Sequence, residues 1–204
     1  QLSRTDTLER FNHYNFEFEY WNDANYLPGK LYCNNFLTPG GYTCDSVGAW
    51  SYFSKNMKSV DSLANVAGIK STVYIGVSSK DTLKNRFVAK TVDLVMLACY
   101  NADTSKLYMS HTVSKLTAYS TVNKVVDVLP IFASQTKSAS ENLKQYLTGP
   151  APAGKHSEAS VMPIFMREYA TLSASVRSKI RIVGFKWFKY EGMPKDSSTT
   201  TLNS

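Results

Sequence analysis

Apolar and polar residues alternate along much of this chain, which is the spacing of β-strands. The clearest case is 13–20, where four aromatic residues occupy one parity and four polar residues the other. Successive side chains of a strand point to opposite faces, so this period of two predicts a strand with one aromatic face. Segments 71–79, 107–119 and 121–132 predict further strands. Segment 91–100 is apolar on both parities and predicts a central strand covered on both faces.

One segment has the period of a helix instead. Apolar residues recur at steps of three and four across 50–64, which places them on one face of a helix. Asp45 or Ser46 suits the N-cap of this helix, and Gly68 suits its end. A second, shorter helix is predicted at 138–147, where Ser and Glu have the spacing of a capping box.

Segment 161–173 and the C-terminal segment 176–190 bring the count to seven or eight short strands. Strands and helices do not alternate regularly in this reading, which disfavours a parallel doubly wound sheet. We therefore predict a mainly β fold, an antiparallel β-sandwich or jelly-roll-like barrel with one long and one short helical insertion. The length of 204 residues fits a single domain, 1–204, with a polar tail from about residue 195.

The segment 176–190 carries five basic residues and no acidic one before its end. Apolar and basic residues alternate up to Ile182, but beyond Gly184 the parity reverses. One extra residue in the strand would restore the alternation, so we predict a β-bulge at Val183–Gly184. With that bulge the basic side chains share one surface, which could contact the phosphates of a nucleic acid, while an aromatic ring stacks on its bases. The candidate contact residues are Arg177, Lys179, Arg181, Lys186, Trp187 and Lys189.

The same basic residues have a structural alternative. Lysine and arginine on an edge strand hinder its pairing with other chains, and here they could also face Glu17 and Glu19 across an antiparallel pair. The net charge of +7, from 23 basic and 16 acidic residues, favours a polyanionic partner without demanding one. Both interpretations stay open.

Catalytic signals are scarce. The sequence has no GxSxG, P-loop, GxGxxG or HExxH motif. The nearest constellation is His13 with Glu17 and Glu19 on one strand face, which could act as acid and base or share a metal. A solvated polar face opposite the four aromatic residues is the favoured interpretation. His111 is expected to be a hydrogen-bonded, partly buried histidine, and Cys99 an inert core thiol.

The cysteines predict no metal centre. Cys33, Cys44 and Cys99 form no CxxC pair, although Cys33 and Cys44 could bridge a loop. We predict no metal and no cofactor. No apolar run reaches 18 residues, so no membrane span is predicted.

Three functions are compatible with these patterns. The first is a structural coat or capsid-like shell subunit, not an enzyme, that assembles with copies of itself and contacts nucleic acid through its basic strand; a virion would then be its location. The second is a nonviral binding or adhesion module, for which 13 tyrosines and long loops suffice. The third is a small metal- or His-dependent enzyme built on His13 and Glu17 or on His111.

Overall fold

The structure is a computed structural model that describes residues 12–76, 79–99, 109–133 and 158–188. For residues 109–111, 133, 158–161, 164, 187 and 188 it describes the backbone alone. The strands are β1 (His13–Phe16), β2 (Lys70–Ile75), β3 (Leu94–Ala98), β4 (Val126–Ala133), β5 (Ile180–Ile182) and β6 (Lys186–Phe188). The helices are α1 (Asp23–Tyr26), α2 (Ser46–Val66), α3 (Thr82–Thr91), α4 (Met109–Ser120), α5 (Glu158–Ala170) and α6 (Ala174–Arg177), with a π-helical turn at Cys33–Leu37.

The strands form one sheet in the order β1-β2-β3-β4-β5, with β6 also beside β4, and all of their pairings are parallel. The predicted antiparallel β-sandwich or jelly roll is therefore wrong. Segments 107–119 and 161–173, interpreted as strands, contain helices α4 and α5, and α3 was not predicted at all. These helices supply the crossovers that neighbouring parallel strands require.

The helices cover one face of the sheet. Crossovers between adjacent parallel strands are almost always right-handed, so strands that follow chain order have their helices on a single side. Alternate sheet residues such as Val73, Val95 and Val128 pack there against Phe53 of α2 and Leu116 of α4. Burial of these side chains, each worth about 1.5–3 kcal/mol, provides most of the favourable energy of the fold. The central position predicted for β3 is confirmed, because it pairs with β2 and β4.

Helix α2 matches its prediction closely. Its apolar stripe is buried at Phe53, Met57 and Ala64. Asp45 is the N-cap, and its Oδ1 accepts hydrogen bonds from the backbone N–H groups of Val47 and Gly48 at 2.9 and 2.8 Å. Helix α2 ends at Val66, two residues before Gly68. The positive φ of 65° at Gly68 explains the glycine there.

The bulge in the last strand is confirmed by the register with β4. Ile182 is paired with Val128 and Lys186 with Ile131, so four steps along one strand match three along the other. Gly184 lies in this interval with φ 144°. Pro130 faces the same interval on β4, where a residue without an N–H costs no ladder hydrogen bond. The regular strand predicted from Val176, however, begins only at Ile180.

Several other expectations are resolved or lie outside the described residues. Strand β1 ends at Phe16 and not at Tyr20. Cys33 and Cys44 form a disulfide. The short helix at 138–147 and the polar tail lie outside the described residues. Within the ranges given above, no helix has the length and apolar character needed to cross a membrane.

Candidate functional site

Two carboxylates follow directly on β1 at the carboxyl end of the sheet. In parallel sheets this end, where loops leave the strands, is the usual position of functional sites. The chain leaves β1 at Phe16, so the neighbouring acids Glu17 and Glu19 lie on a loop and not within the strand. Both residues therefore lie beyond the carboxyl end of β1 and outside the backbone hydrogen-bond ladder of the sheet.

The Glu19 carboxylate is held by the amides of two asparagines. Asn22 and Asn25 donate side-chain N–H groups to its Oε2 at 3.0 and 2.9 Å. Asn25 belongs to α1, and Asn22 is the residue that precedes it. The short helix thus serves to aim two amide donors at one oxygen, an arrangement that suits an ionised carboxylate.

Tyr32 lies beside both acids. Its pKa is raised by burial and by the negative charges of Glu19 and Glu17, and a hydrogen bond with the Glu19 backbone partly opposes this. The ring stacks on Phe18 with centroids 4.4 Å apart. Tyr32 also precedes Cys33, whose disulfide to Cys44 closes the loop. The aromatic packing and the covalent link fix the phenol next to the carboxylates.

Glu17 has the electrostatic environment of a proton donor. Desolvation raises its pKa, and the Glu19 carboxylate raises it further. Glu17 nevertheless stays exposed to solvent, so a substrate can reach it. Two neighbouring carboxyl groups, one held by amides and the other inclined to keep its proton, are an arrangement suited to general acid–base chemistry.

A second polar cluster lies inside the core at the ends of β2 and β3. Lys115 is only 2% exposed, and burial lowers its pKa to about 8. Burial raises the pKa of the Cys99 thiol to about 12, which fits the inert thiol that the sequence predicts. The Tyr119 hydroxyl has no hydrogen-bond partner in the part of the chain that the structure describes. Enclosure among core atoms separates this cluster from solvent, so the surface carboxylates are the better candidate site.

The predicted basic residues occupy different environments. Arg177 ends α6 and donates a hydrogen bond to the Ala170 carbonyl. Arg181 forms an ion pair with Asp127, with Nε 2.6 Å from Oδ1. Lys179 is exposed just before β5.

Lys186 and Trp187 belong to β6, and Lys189 lies outside the described residues. Asp127 and Ile131 have the same parity on β4, so their partners Arg181 and Lys186 share one face of the sheet, as the bulge predicts. Contact of this set with nucleic acid stays a prediction.

The structure places His13 and His111 differently from the sequence-based hypotheses about them. His13 Nδ1 lies 2.9 Å from Thr72 Oγ1 on the neighbouring strand, so it is tied to β2 and not to Glu17. His111 lies in helix α4 and not on the predicted strand. No group of three His, Cys, Asp or Glu residues suited to a metal exists among the described residues.

Sequence reasoning missed Asn22, Asn25, Tyr32 and Lys115. Asn22 could have been recognised as the N-cap of a helix, because it immediately precedes Asp23 and acidic residues are common in the first turn of a helix. Tyr32 had no such signal, since it reaches the acids through the loop. Comparisons with protein-family models, curated proteins and solved structures find no match to this chain.

Proposed function

We propose that the protein is an enzyme that cleaves a glycosidic bond by acid–base catalysis at the carboxyl end of β1. The observation that carries the proposal is the environment of Glu17 beside Glu19: desolvation raises the pKa of Glu17, and the neighbouring Glu19 carboxylate raises it further. Enzymes of this class place two carboxyl groups on either side of the scissile bond and give them different proton affinities.

In this proposal Glu17 gives its proton to the leaving oxygen. Glu19, held by Asn22 and Asn25, stabilises the positive charge that develops on the sugar or activates a water molecule. Tyr32 keeps the two acids in place. The roles follow from the environments of the two groups: desolvation raises the pKa of Glu17, whereas two amide donors hold one oxygen of the Glu19 carboxyl group.

The shell-subunit hypothesis draws on a β-rich domain, neutral polar loops, a basic strand and the absence of catalytic motifs, and the parallel α/β sheet removes the first of these supports. The third hypothesis is a metal- or His-dependent enzyme built on His13 and Glu17 or on His111, and the present proposal keeps only Glu17 from it. His13 takes no part in the revised version, because it bonds to Thr72.

The test is hydrolysis of a panel of fluorogenic aryl glycosides by the wild type and by E17Q, E19Q and the control E168Q on α5. We expect turnover of at least one glycoside, with kcat/KM reduced about 100-fold or more by E17Q and by E19Q and unchanged by E168Q. Circular dichroism verifies that the variants fold. A folded wild type that hydrolyses no member of the panel, or an E17Q and E19Q pair with full activity, overturns the proposal.

A further inference from the structure

The sheet face opposite the helices contains a groove of about 510 Å³. Its floor is made by Leu94 and Met96 of β3 and Leu129 of β4. Leu94 and Leu129 are each only 8% exposed, so the floor is recessed and apolar. Parallel sheets normally have both faces covered, and this volume falls in the range of small-molecule sites, roughly 300–1,000 Å³.

Two lysines and one aspartate line the groove. Lys70 of β2 and Lys186 of β6 are both exposed, and neither has an ion pair among the residues that the structure describes. The carboxylate in the lining is Asp127, which Arg181 already engages with two hydrogen bonds, at 2.6 and 2.7 Å. Among the described residues, the groove therefore carries two lysine charges that no carboxylate pairs with.

Neutral hydrogen-bonding groups stand on the same side as Lys70. His13 and Asn15 of β1 line the groove there together with Thr72 of β2. The contact of 2.9 Å between His13 Nδ1 and Thr72 Oγ1 fixes the imidazole ring, which leaves its other nitrogen for a ligand. A cation, an imidazole, an amide and a hydroxyl along one wall form a suitable set of donors for an oxyanion.

We propose that this groove binds a small molecule that has an anionic group, a carboxylate or a phosphate, and an apolar body. The anionic group lies against Lys70 and His13, the apolar body covers Leu94, Met96 and Leu129, and Lys186 closes the far side. A second copy of the chain is a poor occupant, because two faces with the same lysines repel each other. The site is separate from the carboxylates after β1 and does not depend on their proposed function.

The test uses decanoate as the probe and decanol as its uncharged counterpart. Binding is followed by displacement of a fluorescent anilinonaphthalene sulfonate and by methyl NMR, in which Met96 lies in the groove and Met57 in the helix-covered core. We expect decanoate to bind, decanol to bind at least about tenfold more weakly, and the Met96 methyl to shift while the Met57 methyl does not. K70Q and K186Q should each weaken decanoate binding about fivefold or more, whereas K55Q on the exposed side of α2 should leave it unchanged.

Three results overturn the proposal. They are equal affinity for decanol, equal decanoate affinity in K70Q, K186Q and K55Q, and a stable dimer in light scattering whose interface shifts the Met96 methyl in place of a ligand. E17Q should bind decanoate like the wild type. A loss of the proposed glycosidase activity therefore leaves this proposal unaffected, and the reverse also holds.

Discussion

Arg181 and Asp127 form a two-point ion pair between adjacent parallel strands, with Nε 2.6 Å from Oδ1 and Nη2 2.7 Å from Oδ2. The guanidinium is 65% exposed, but the carboxylate is only 13% exposed. The pair also decides which charges remain available on this face, because Asp127 is engaged by Arg181 and, among the described residues, no carboxylate pairs with Lys186 of β6.

This geometry predicts a measurable coupling. A double-mutant cycle with R181Q and D127N, followed by urea unfolding, should give a favourable interaction energy, since bidentate pairs are the stronger ones. The matched control is Arg167–Glu168, where the arginine is equally exposed but the closest approach is 3.7 Å. We expect the first coupling to exceed the second, and equal values would mean that the two-point geometry adds nothing.

Glu17 predicts a pH-dependent stability. Its pKa is raised above the ordinary value of 4.5 in the folded protein, so the folded state keeps a proton that the unfolded chain has already lost. Stability due to this group is therefore greatest in acid and falls as the pH rises from about 4.5 through the folded pKa. E17Q removes the penalty and should melt at a higher temperature than the wild type at pH 7.

The gain from E17Q should disappear at pH 4, where the wild-type carboxyl is protonated in both states. Thermal unfolding by circular dichroism at the two pH values measures this difference. E168Q, which removes a carboxylate bound by Arg167, should show no such gain at pH 7. A melting temperature of E17Q that stays below the wild type at pH 7 would contradict the argument.

Lys115 predicts the opposite trend at alkaline pH. Its pKa is lowered to about 8, chiefly by burial, so between pH 8 and the unfolded value of about 10.4 the unfolded chain binds more protons than the folded one. Stability should therefore rise with pH across this window, by roughly 2–3 kcal/mol.

The variant K115M carries no titratable group, so its stability relative to the wild type should decline between pH 8 and 10. Urea unfolding at several pH values gives the difference, in which the tyrosines common to both proteins cancel. Parallel stability curves for K115M and the wild type would show that the amine is not desolvated.

Gly76, directly after β2, predicts an overpacking effect. A Cβ at this position would collide with the indole of Trp21, so G76A should destabilise the protein by about 1–3 kcal/mol. Replacing the Trp21 indole with the smaller leucine side chain in W21L should relieve part of the destabilisation caused by G76A. The double variant G76A/W21L should therefore lose less stability in urea than the two single changes added together, and strict additivity would place the collision elsewhere.

Much of the local structure was readable from the sequence, but the topology was not. Helix α2 can be predicted because its row of apolar residues at helical spacing starts just after a suitable N-cap, Asp45. The bulge can be predicted because a change in the apolar–polar alternation of a paired strand requires an extra residue. Helix α4 was mistaken for a strand because Leu107, Met109 and Val113 alternate, although Thr112, Leu116 and Tyr119 on its buried side have helical spacing. Together with the missed helices α3 and α5, this misinterpretation removed the crossovers that distinguish a parallel sheet from an antiparallel one.

The sequence predicts the two acids of the candidate site but not the residues that surround them. Glu17 and Glu19 could be assigned to one polar face from their spacing alone. The two acids differ in their neighbours, which are the two amides on Glu19 and the phenol of Tyr32. These groups come from a helical turn and from a disulfide-closed loop, and tertiary packing brings both next to the acids. No local pattern encodes that approach.

The chain order of the strands has a consequence for how the protein is made. Each strand from β2 to β5 pairs with the strand that precedes it in the sequence, so its pairing partner has already left the ribosome when the new strand emerges. The sheet can grow by one strand and one helix at a time, without waiting for the C-terminus. Strand β6 joins last among the described strands, and synthesis that stops before Gly184 would leave 131–133 of β4 without the partner strand on that side.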